Sequence, residues 1–281
     1  MDTDRFKGLL ALLSTSLLWG SSFPAIKIVI VSMSEYTYTW MRSLIAALGL
    51  TPYLIYYIYR YGSVSRSAIR GGLTAGVAYA LGLWLQGWGT RYTTASNSAF
   101  ITGLNIIFVH LYRAVVKKSY SSHLGLSLIF AIAGLYMITE PNRGFNVGDI
   151  LVLFGSAMWA AQLILVDKYC RENPVIFTLF EMLPAFSFII PDLLTFPFKS
   201  FRFNSLLLVV YLALICGDGA FTLQVFGQKY VEAGAAAIIL LSEPVFASIL
   251  AHLLISEFMT LSQMVGASLI VAAMLIVSFK S

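Results

Sequence analysis

Apolar residues form long blocks along this chain, and polar residues are confined to short stretches between the blocks. A helix needs about 17 to 25 mostly apolar residues to cross roughly 30 Å of hydrocarbon in a bilayer. The pattern therefore predicts ten transmembrane helices and leaves no gap long enough for a soluble domain. The expected spans are 8–31, 36–59, 71–89, 95–116, 124–140, 149–167, 175–196, 205–228, 234–255 and 262–279.

Composition supports the same class of protein. Hydrophobic residues make up 59% of the 281 residues, charged residues only 11%, and the mean hydropathy is +0.83. Soluble domains are about one quarter charged. The chain is therefore predicted to be a polytopic integral membrane protein. Its net charge of +5 does not indicate nucleic-acid binding, because the basic residues lie in short loops between apolar runs.

The distribution of those loop charges predicts an orientation. Lys and Arg are enriched in loops on one side of the ten spans, and they mark the cytoplasmic side. The opposite side receives only Arg91, Arg143, Lys199 and Arg202. We expect both termini in the cytoplasm and the protein in the cell membrane. The first apolar run is too long for a signal-peptide core and is expected to remain as the first span.

The two halves of the sequence align with each other in nearly constant register across five successive spans. The aligned pairs include Gly8 with Gly148, Trp19 with Trp159, Lys27 with Asp167, Arg42 with Glu181, Gln86 with Gln224, Gly89 with Gly227 and Asn105 with Glu243. Duplicated halves are common in transporters. The register predicts two five-helix repeats, residues 1–143 and 144–281.

A five-span unit begins and ends on opposite sides of the membrane, so the second copy runs upside down relative to the first. The predicted fold is all-α, with ten transmembrane helices in two inverted five-helix repeats around a central cavity. Such an architecture suits alternating access to a site near the middle of the membrane.

Glu243 and Pro244 stand near the middle of the ninth apolar run. A carboxylate at the centre of a span costs about 2.5 to 3.5 kcal/mol on insertion scales, so it normally faces a polar cavity or a partner. Pro244 removes a backbone donor and predicts a helix kink beside it. Glu243 is a candidate for binding a proton or a cationic group; a buried hydrogen bond that holds a kinked helix is the alternative. The fourth span has Asn105 and Ile106 in the aligned positions, which predicts an unbroken helix there.

Charged residues elsewhere in the spans supply further candidates. Arg42 and Lys27 lie towards the same predicted end of the first two spans and are suited to holding a substrate carboxylate, Arg42 through two hydrogen bonds and Lys27 as a point charge. Extension of Lys27 to the membrane surface is the alternative. Their aligned partners, Asp167 and Glu181, are acidic, so Lys27 and Glu181 are also candidates for gating.

Polar and aromatic residues at depth complete the candidate set. Gln86, Gln224 and Asn105 are expected to line the cavity or to bond between helices. Asp218, with glycine on either side, is a second proton-binding candidate. Trp19 and Trp84 are candidate cavity walls, although tryptophan also collects at membrane interfaces.

Several motifs are similar to those of a known family. The segments LLWGSSFPAIK and LLSEPVFASILAHLLISE, with the two five-span repeats, resemble the drug/metabolite transporter superfamily in its ten-helix EamA-type branch. The resemblance covers essentially the whole chain. It implies cytoplasmic termini, a central cavity and transport of small metabolites, often amino acids and often outward. The residues that match the family positions are Trp19, Gly20, Arg42, Glu243, Pro244 and Glu257. The first repeat departs from the pattern at Asn105 and at Lys117–Lys118–Ser119.

The predicted function is secondary transport of amino acids or related metabolites, as an exporter that alternates its access. Exchange of anionic or phosphorylated metabolites is the alternative, and a channel or membrane sensor is a more distant one. An enzyme is not expected, since the spans contain no HExxH, paired-Asp or Ser/His constellation. No cofactor or metal is expected, because Cys170 and Cys216 have no metal-ligand spacing. The expected partners are the bilayer, a small solute and a proton; the oligomeric state is left open.

Overall fold

The computed structural model describes residues 3–116, 118, 122–139, 146–195, 203–231, 236, 239–240 and 242–278, and all regular structure in them is helical. The α-helices are α1 (Thr3–Ser32), α2 (Glu35–Tyr61), α3 (Arg66–Tyr92), α4 (Ala95–Gly103), α5 (Asn105–Val116), α6 (Ser122–Thr139), α7 (Val147–Tyr169), α8 (Pro174–Met182), α9 (Ile189–Thr195), α10 (Phe203–Ala213), α11 (Ala220–Gln228), α12 (Ser242–Ile255) and α13 (Leu261–Ser278).

Seven helical stretches in the described part of the chain are long and apolar enough to cross a membrane. They coincide with the first four and the sixth to eighth expected spans: Thr3–Ser32, Glu35–Tyr61, Arg66–Tyr92, Ala95–Val116, Val147–Tyr169, Pro174–Thr195 and Asn204–Gln228. Helices α6, α12 and α13 overlap the other three expected spans. The all-helical membrane class is confirmed, and the count of ten stays a prediction.

Large apolar side chains are exposed on the outer faces of the bundle. Phe154 is 62% exposed, Leu194 81% and Leu253 68%. Soluble monomers rarely expose continuous apolar surface on such a scale. These faces are suited to contact with lipid chains.

Short polar caps begin several of the helices. Ser34, Thr94 and Asn173 each accept a hydrogen bond from a backbone N–H in the first turn of the helix that follows. A cap of this kind satisfies one of the N–H groups that have no partner inside the helix. The chain can therefore reverse direction between these spans within two to four residues.

The fourth span is broken, and the expectation of an unbroken helix there was wrong. Helix α4 ends at Gly103, Leu104 forms a turn, and α5 begins at Asn105. The Leu104 N–H donates to the Ile101 carbonyl oxygen at 3.1 Å, three residues back instead of four. The Ser156 hydroxyl of α7 donates to the Thr102 carbonyl oxygen at 3.0 Å. A neighbouring helix thus supplies a partner at the break.

Two further spans contain irregular helical turns. Leu183–Phe188 forms a 3₁₀-helix between α8 and α9, and Leu214–Gly219 forms a π-helix between α10 and α11. The first contains Pro184, which cannot donate an intrahelical hydrogen bond. π-Helical turns within α-helices are frequent at functional sites.

The principal packing partners are α3 with both α7 and α8, α6 with α13, and α1 with both α11 and α12. Glycine allows close approach at two crossings that relate the halves of the sequence. A Cβ atom on Gly89 would lie 2.6 Å from the Gly148 carbonyl oxygen, where α3 crosses α7. A Cβ atom on Gly8 would lie 3.3 Å from the Gly227 carbonyl oxygen, where α1 crosses α11. The two crossings are made by the residues that align between the halves of the sequence.

Candidate functional site

A central cavity lies where eight helices converge: α1, α2, α3, α4, α5, α7, α11 and α12. Its empty space is about 470 Å³, part of which is open to solvent. Ligand pockets in proteins typically span 300–1,000 Å³. The lining residues are Trp19, Ser22, Arg42, Gln86, Thr102, Asn105, Trp159, Gln162, Leu163, Phe221, Leu240 and Glu243. Five of the residues singled out in the sequence, from different spans, therefore face one space: Trp19, Arg42, Gln86, Asn105 and Glu243.

Arg42 brings a guanidinium group to the cavity from α2. Its side chain is buried, and one terminal nitrogen donates to the Tyr38 hydroxyl at 2.6 Å. The Nε atom has no hydrogen-bond partner, and no carboxylate in the described part of the chain lies within 4.0 Å of the guanidinium. Arg42 therefore retains donor capacity for a bound carboxylate.

Glu243 brings a carboxyl group to the same cavity from the first turn of α12. Close packing of α1 on α12 fixes its position. A Cβ atom on Gly20 would lie 3.0 Å from the Glu243 carbonyl oxygen and 2.7 Å from Cβ of Phe246. The hydroxyls of Ser16 and Ser242 lie 2.7 Å apart. No hydrogen bond or ion pair joins the Glu243 carboxyl to another described residue, so it is available to a ligand.

Pro244, the expected kink, is the third residue of α12. An amide at that position has no carbonyl four residues back within the helix, so proline costs little there. Residue 241, immediately before the helix, lies outside the described residues. The kink itself stays a prediction.

Amide and hydroxyl side chains line the cavity between the two charged groups. The Gln86 amide donates to the Thr102 hydroxyl at 3.2 Å, which links α3 to the end of α4. Asn105 lies just beyond the break at Leu104. Gln224 does not line the cavity, but Gln162 does. The side-chain amides of these two residues donate hydrogen bonds to each other, each 3.1 Å long.

Aromatic rings form the rest of the wall. Trp19, Trp159 and Phe221 line the cavity, and the Phe221 ring centroid lies 4.8 Å from that of Trp19 and 5.9 Å from that of Trp159. The Trp19 indole N–H donates to the Cys216 carbonyl oxygen in the π-helix at 3.2 Å. The aligned Trp159 N–H has no partner in the described structure. The π-helix therefore binds the indole N–H of Trp19 but not that of Trp159.

Trp84 and Lys27 lie outside the cavity lining. Trp84 stacks on Trp88, with ring centroids 5.2 Å apart, and packs against Phe188. The Lys27 ammonium group donates to the carbonyl oxygens of Thr90, Arg91 and Thr93 at 2.9, 3.3 and 2.5 Å. Lys27 thus satisfies carbonyl groups at the C-terminal end of α3.

The remaining two acidic candidates are buried beside the cavity. Asp218 lies in the π-helix against Gly49, where a Cβ atom would meet its carboxylate at 2.6 Å. It is close enough to Arg42 for an electrostatic interaction, and one of its oxygens has no hydrogen-bond partner in the described structure. Glu181 is fully buried on α8 and contacts the Gln162 amide.

Gln162, Ser22, Thr102 and Phe221 are cavity residues that the sequence did not single out. A usable signal was present for two of them. Gln162 aligns with Ser22 at the same offset that pairs Trp19 with Trp159, and both line the cavity. The alignment of these two polar residues was therefore a signal that the sequence analysis did not use.

One end of the bundle, at the α3–α4 turn, is held by a polar network that we call the Thr93 end. The Glu257 carboxylate accepts hydrogen bonds from the backbone N–H groups of Ala95 and Ser96 at 3.0 and 2.8 Å. The Thr93 hydroxyl donates to Asp149 at 2.5 Å. Glu257 therefore caps α4.

Comparisons with known proteins extend these observations. The model of the EamA-like transporter family matches residues 6–140 and again residues 146–279. An uncharacterized transporter of Archaeoglobus fulgidus is 31% identical over 96% of this chain and 85% of its own length. A second from the same organism is 21% identical over 96% and 97%. A crystal structure with 14% identity superposes with a TM-score of 0.68 over 97% of this chain and 96% of that chain, which supports the fold.

Proposed function

Because this chain belongs to the EamA-like transporter family, within the drug/metabolite transporter superfamily, we propose that it exports amino acids or related small zwitterionic metabolites. One observation carries the substrate class. Arg42 and Glu243 present opposite charges to one cavity, and neither forms an ion pair with another described residue.

These two side chains match the two charged groups of an amino acid. Arg42 binds the carboxylate through its free donors, and Glu243 binds the ammonium group. Gln86 and Asn105 orient the solute between them, while Trp19 and Phe221 contact its apolar part. Binding a zwitterion neutralises both protein charges, which lowers the cost of holding them within the membrane.

The transport mechanism in this proposal is alternating access by two inverted five-helix repeats, residues 1–143 and 144–281, with ten membrane-spanning helices in all. Two observations support it. The family model matches the two halves separately. In addition, the Gly89–Gly148 and Gly8–Gly227 crossings are equivalent under the alignment of the halves, which pairs Gly8 with Gly148 and Gly89 with Gly227. The loop charges favour cytoplasmic termini in the cell membrane, which places the Thr93 end outside.

Counterflow in proteoliposomes tests this function. Vesicles loaded with an unlabelled amino acid are expected to accumulate the labelled one transiently, because a carrier exchanges solutes and a channel does not. Arg42→Ala should reduce counterflow at least about tenfold, the equivalent of losing about 1.4 kcal/mol of binding. Arg60→Ala, at the exposed end of the same helix, should transport normally. Counterflow by Arg42→Ala at the wild-type rate, or none by wild type with any amino acid, would contradict the proposal.

Exchange of phosphorylated or other anionic metabolites is a second candidate, favoured by the free donors of Arg42. It differs in the part played by Glu243. A dianion is repelled by an ionised Glu243, so Glu243→Gln should increase its transport, whereas the same substitution should decrease amino-acid transport. Counterflow of both solute classes by this variant separates the candidates.

A further inference from the structure

We propose that Glu181 is a proton-coupling residue that acts on the cavity through the amide of Gln162. The inference rests on the proposed transport function and adds a coupling site to it. Glu181 does not line the cavity, so its role is to position Gln162, which does.

The surroundings of Glu181 suit a group that changes charge. Its side chain is 0% exposed within the α8 part of the seventh span. The Gln162 amide nitrogen donates to one carboxyl oxygen at 2.7 Å, and the other oxygen has no partner in the described structure. Among described residues, no Lys or Arg lies within 4.0 Å to balance an ionised carboxylate. A single neutral amide leaves most of the cost of a buried charge uncompensated.

Gln162 connects this carboxyl to the cavity. Its amide nitrogen also donates to the Gln224 amide oxygen at 3.1 Å, and the Gln224 nitrogen donates back to the Gln162 oxygen at 3.1 Å. Gln162 is 1% exposed, and both of its amide donors are used. The three side chains therefore form one chain of hydrogen bonds, from a sealed carboxyl to the cavity wall.

The protonation state of Glu181 determines which end of the Gln162 amide it engages. An ionised carboxylate can only accept, so it selects the amide nitrogen. A protonated carboxyl keeps acceptor capacity and gains an O–H donor, for which the unpartnered oxygen of Glu181 has no acceptor in the described structure. In this proposal the Gln162 amide oxygen is that acceptor. Rotating the Gln162 amide by half a turn supplies that oxygen, and Gln224 must rotate with it because their two bonds are reciprocal. One proton binds to Glu181 and later leaves it; no other covalent bond changes.

Titratable groups on the neighbouring elements are few. Helix α8 packs against α2, α3, α11, the 3₁₀-helix and the π-helix. From α3, Tyr79 interacts electrostatically with both Glu181 and Arg42, which comes from α2. The π-helix carries Cys216 and Asp218, and α11 contributes the neutral Gln224. The described part of the 3₁₀-helix, Leu183–Phe188, contains no titratable side chain.

The pH dependence of counterflow tests the inference with purified protein in liposomes. Wild type should show a rate that changes by up to about tenfold per pH unit where one proton is linked to transport. Glu181→Gln and Gln162→Leu should both flatten that profile, the second with the carboxyl still present. Glu172→Gln, in the turn between α7 and α8, is the matched control and should keep the wild-type profile. A pH-independent wild type, or an unchanged profile in Glu181→Gln, overturns the proposal.

A second measurement does not depend on transport. Subtracting the pH-step infrared spectrum of Glu181→Gln from that of wild type should leave a protonated-carboxyl band, because the contributions of Glu243 and Asp218 cancel. A side-chain amide band should accompany the pH step in wild type and disappear in Gln162→Leu. Both results support the coupling site, and a carboxyl band of equal size in wild type and Glu181→Gln excludes it. If wild type transports no amino acid, the transport proposal fails while the infrared bands still decide whether Glu181 binds the proton and rotates the amide.

Discussion

Gly89 of α3 and Gly148 of α7 pack backbone against backbone. A Cβ atom on Gly148 would lie 2.5 Å from the Gly89 carbonyl oxygen, closer than side chains normally approach. Small residues at such crossings let membrane helices gain van der Waals contact along their length. At the Gly8–Gly227 crossing a Cβ atom on Gly227 would lie 2.6 Å from Cγ of Leu12 and 3.1 Å from the Gly8 carbonyl oxygen, so side chains as well as backbone limit the space there.

Gly148→Ala should lower stability by about 1–3 kcal/mol, because a rigid backbone oxygen occupies the space that the methyl group needs. Thermal unfolding of the purified protein in detergent measures the effect. Gly219→Ala is the matched control, since its Cβ would lie 3.5 Å from the nearest atom, the Leu214 carbonyl oxygen. Equal unfolding temperatures for the two variants would show that the crossing tolerates expansion.

Gly20→Ala should weaken transport more than it lowers stability. Its methyl group would meet Phe246 Cβ at 2.7 Å and push α12, with Glu243, away from the cavity. The expected result is a rise in KM of about tenfold, from a loss of about 1.4 kcal/mol in substrate binding. Gly219→Ala again serves as control, since its Cβ would lie 3.5 Å from the nearest atom. An unchanged KM for Gly20→Ala would mean that the contact between Gly20 and Phe246 does not position Glu243.

Glu257→Ala should open the Thr93 end. It removes two charge-assisted hydrogen bonds to the first turn of α4, each worth about 1.5–3 kcal/mol. We expect faster labelling of Thr102→Cys, in a background with Cys170→Ala and Cys216→Ala, by a thiol reagent that does not cross membranes. Glu257→Gln keeps one acceptor and should label at an intermediate rate. Labelling of all variants at the parental rate would mean that the cap does not hold this end closed.

Asp192→Asn should destabilise the contact between α9 and α2. The Asp192 carboxylate accepts hydrogen bonds from the side chains of Ser34, Thr37 and Trp40 at 2.6–2.8 Å. In the variant, the introduced amide nitrogen would face one of these hydrogen-bond donors in place of an acceptor oxygen, which should lower the free energy of unfolding by about 1–3 kcal/mol. The free energy of unfolding in detergent checks this. Thr195→Ala, an exposed change on the same helix, should have little effect, and a comparable loss there would assign the effect to α9 itself.

The sequence predicted the membrane class and marked Arg42, Gln86, Asn105 and Glu243 as polar groups within the spans that need a cavity or a partner. Both predictions rest on large energies. Long apolar segments are stable in the hydrocarbon of the bilayer, and polar side chains within the spans must face one another or a cavity. Both requirements follow from residue type and position alone, without knowledge of the neighbouring helices.

Trp84 and the break at Leu104 show where sequence reasoning fails. Trp84 is two residues from Gln86, which turns its side chain about 200° away around the helix. It therefore joins Trp88 and Phe188 instead of the cavity. The turn at Leu104 contains no proline and depends on tertiary contacts, among them the Ser156 bond to Thr102. The local sequence around Leu104 does not indicate a hydrogen bond that is donated by another helix.

The turn at Leu104 also divides the fourth span mechanically. Helix α4 has nine residues and nearly all of them are buried, so packing rather than its own hydrogen bonds keeps it folded. Glu257 holds its first turn, and the Leu104 turn ends it beside the cavity. The fourth span is therefore not one continuous α-helix. Helix α4 packs against α7, α12 and α1, whereas α5 packs against α7, α6 and α13, so the Leu104 turn joins two helical segments that have mostly different neighbours.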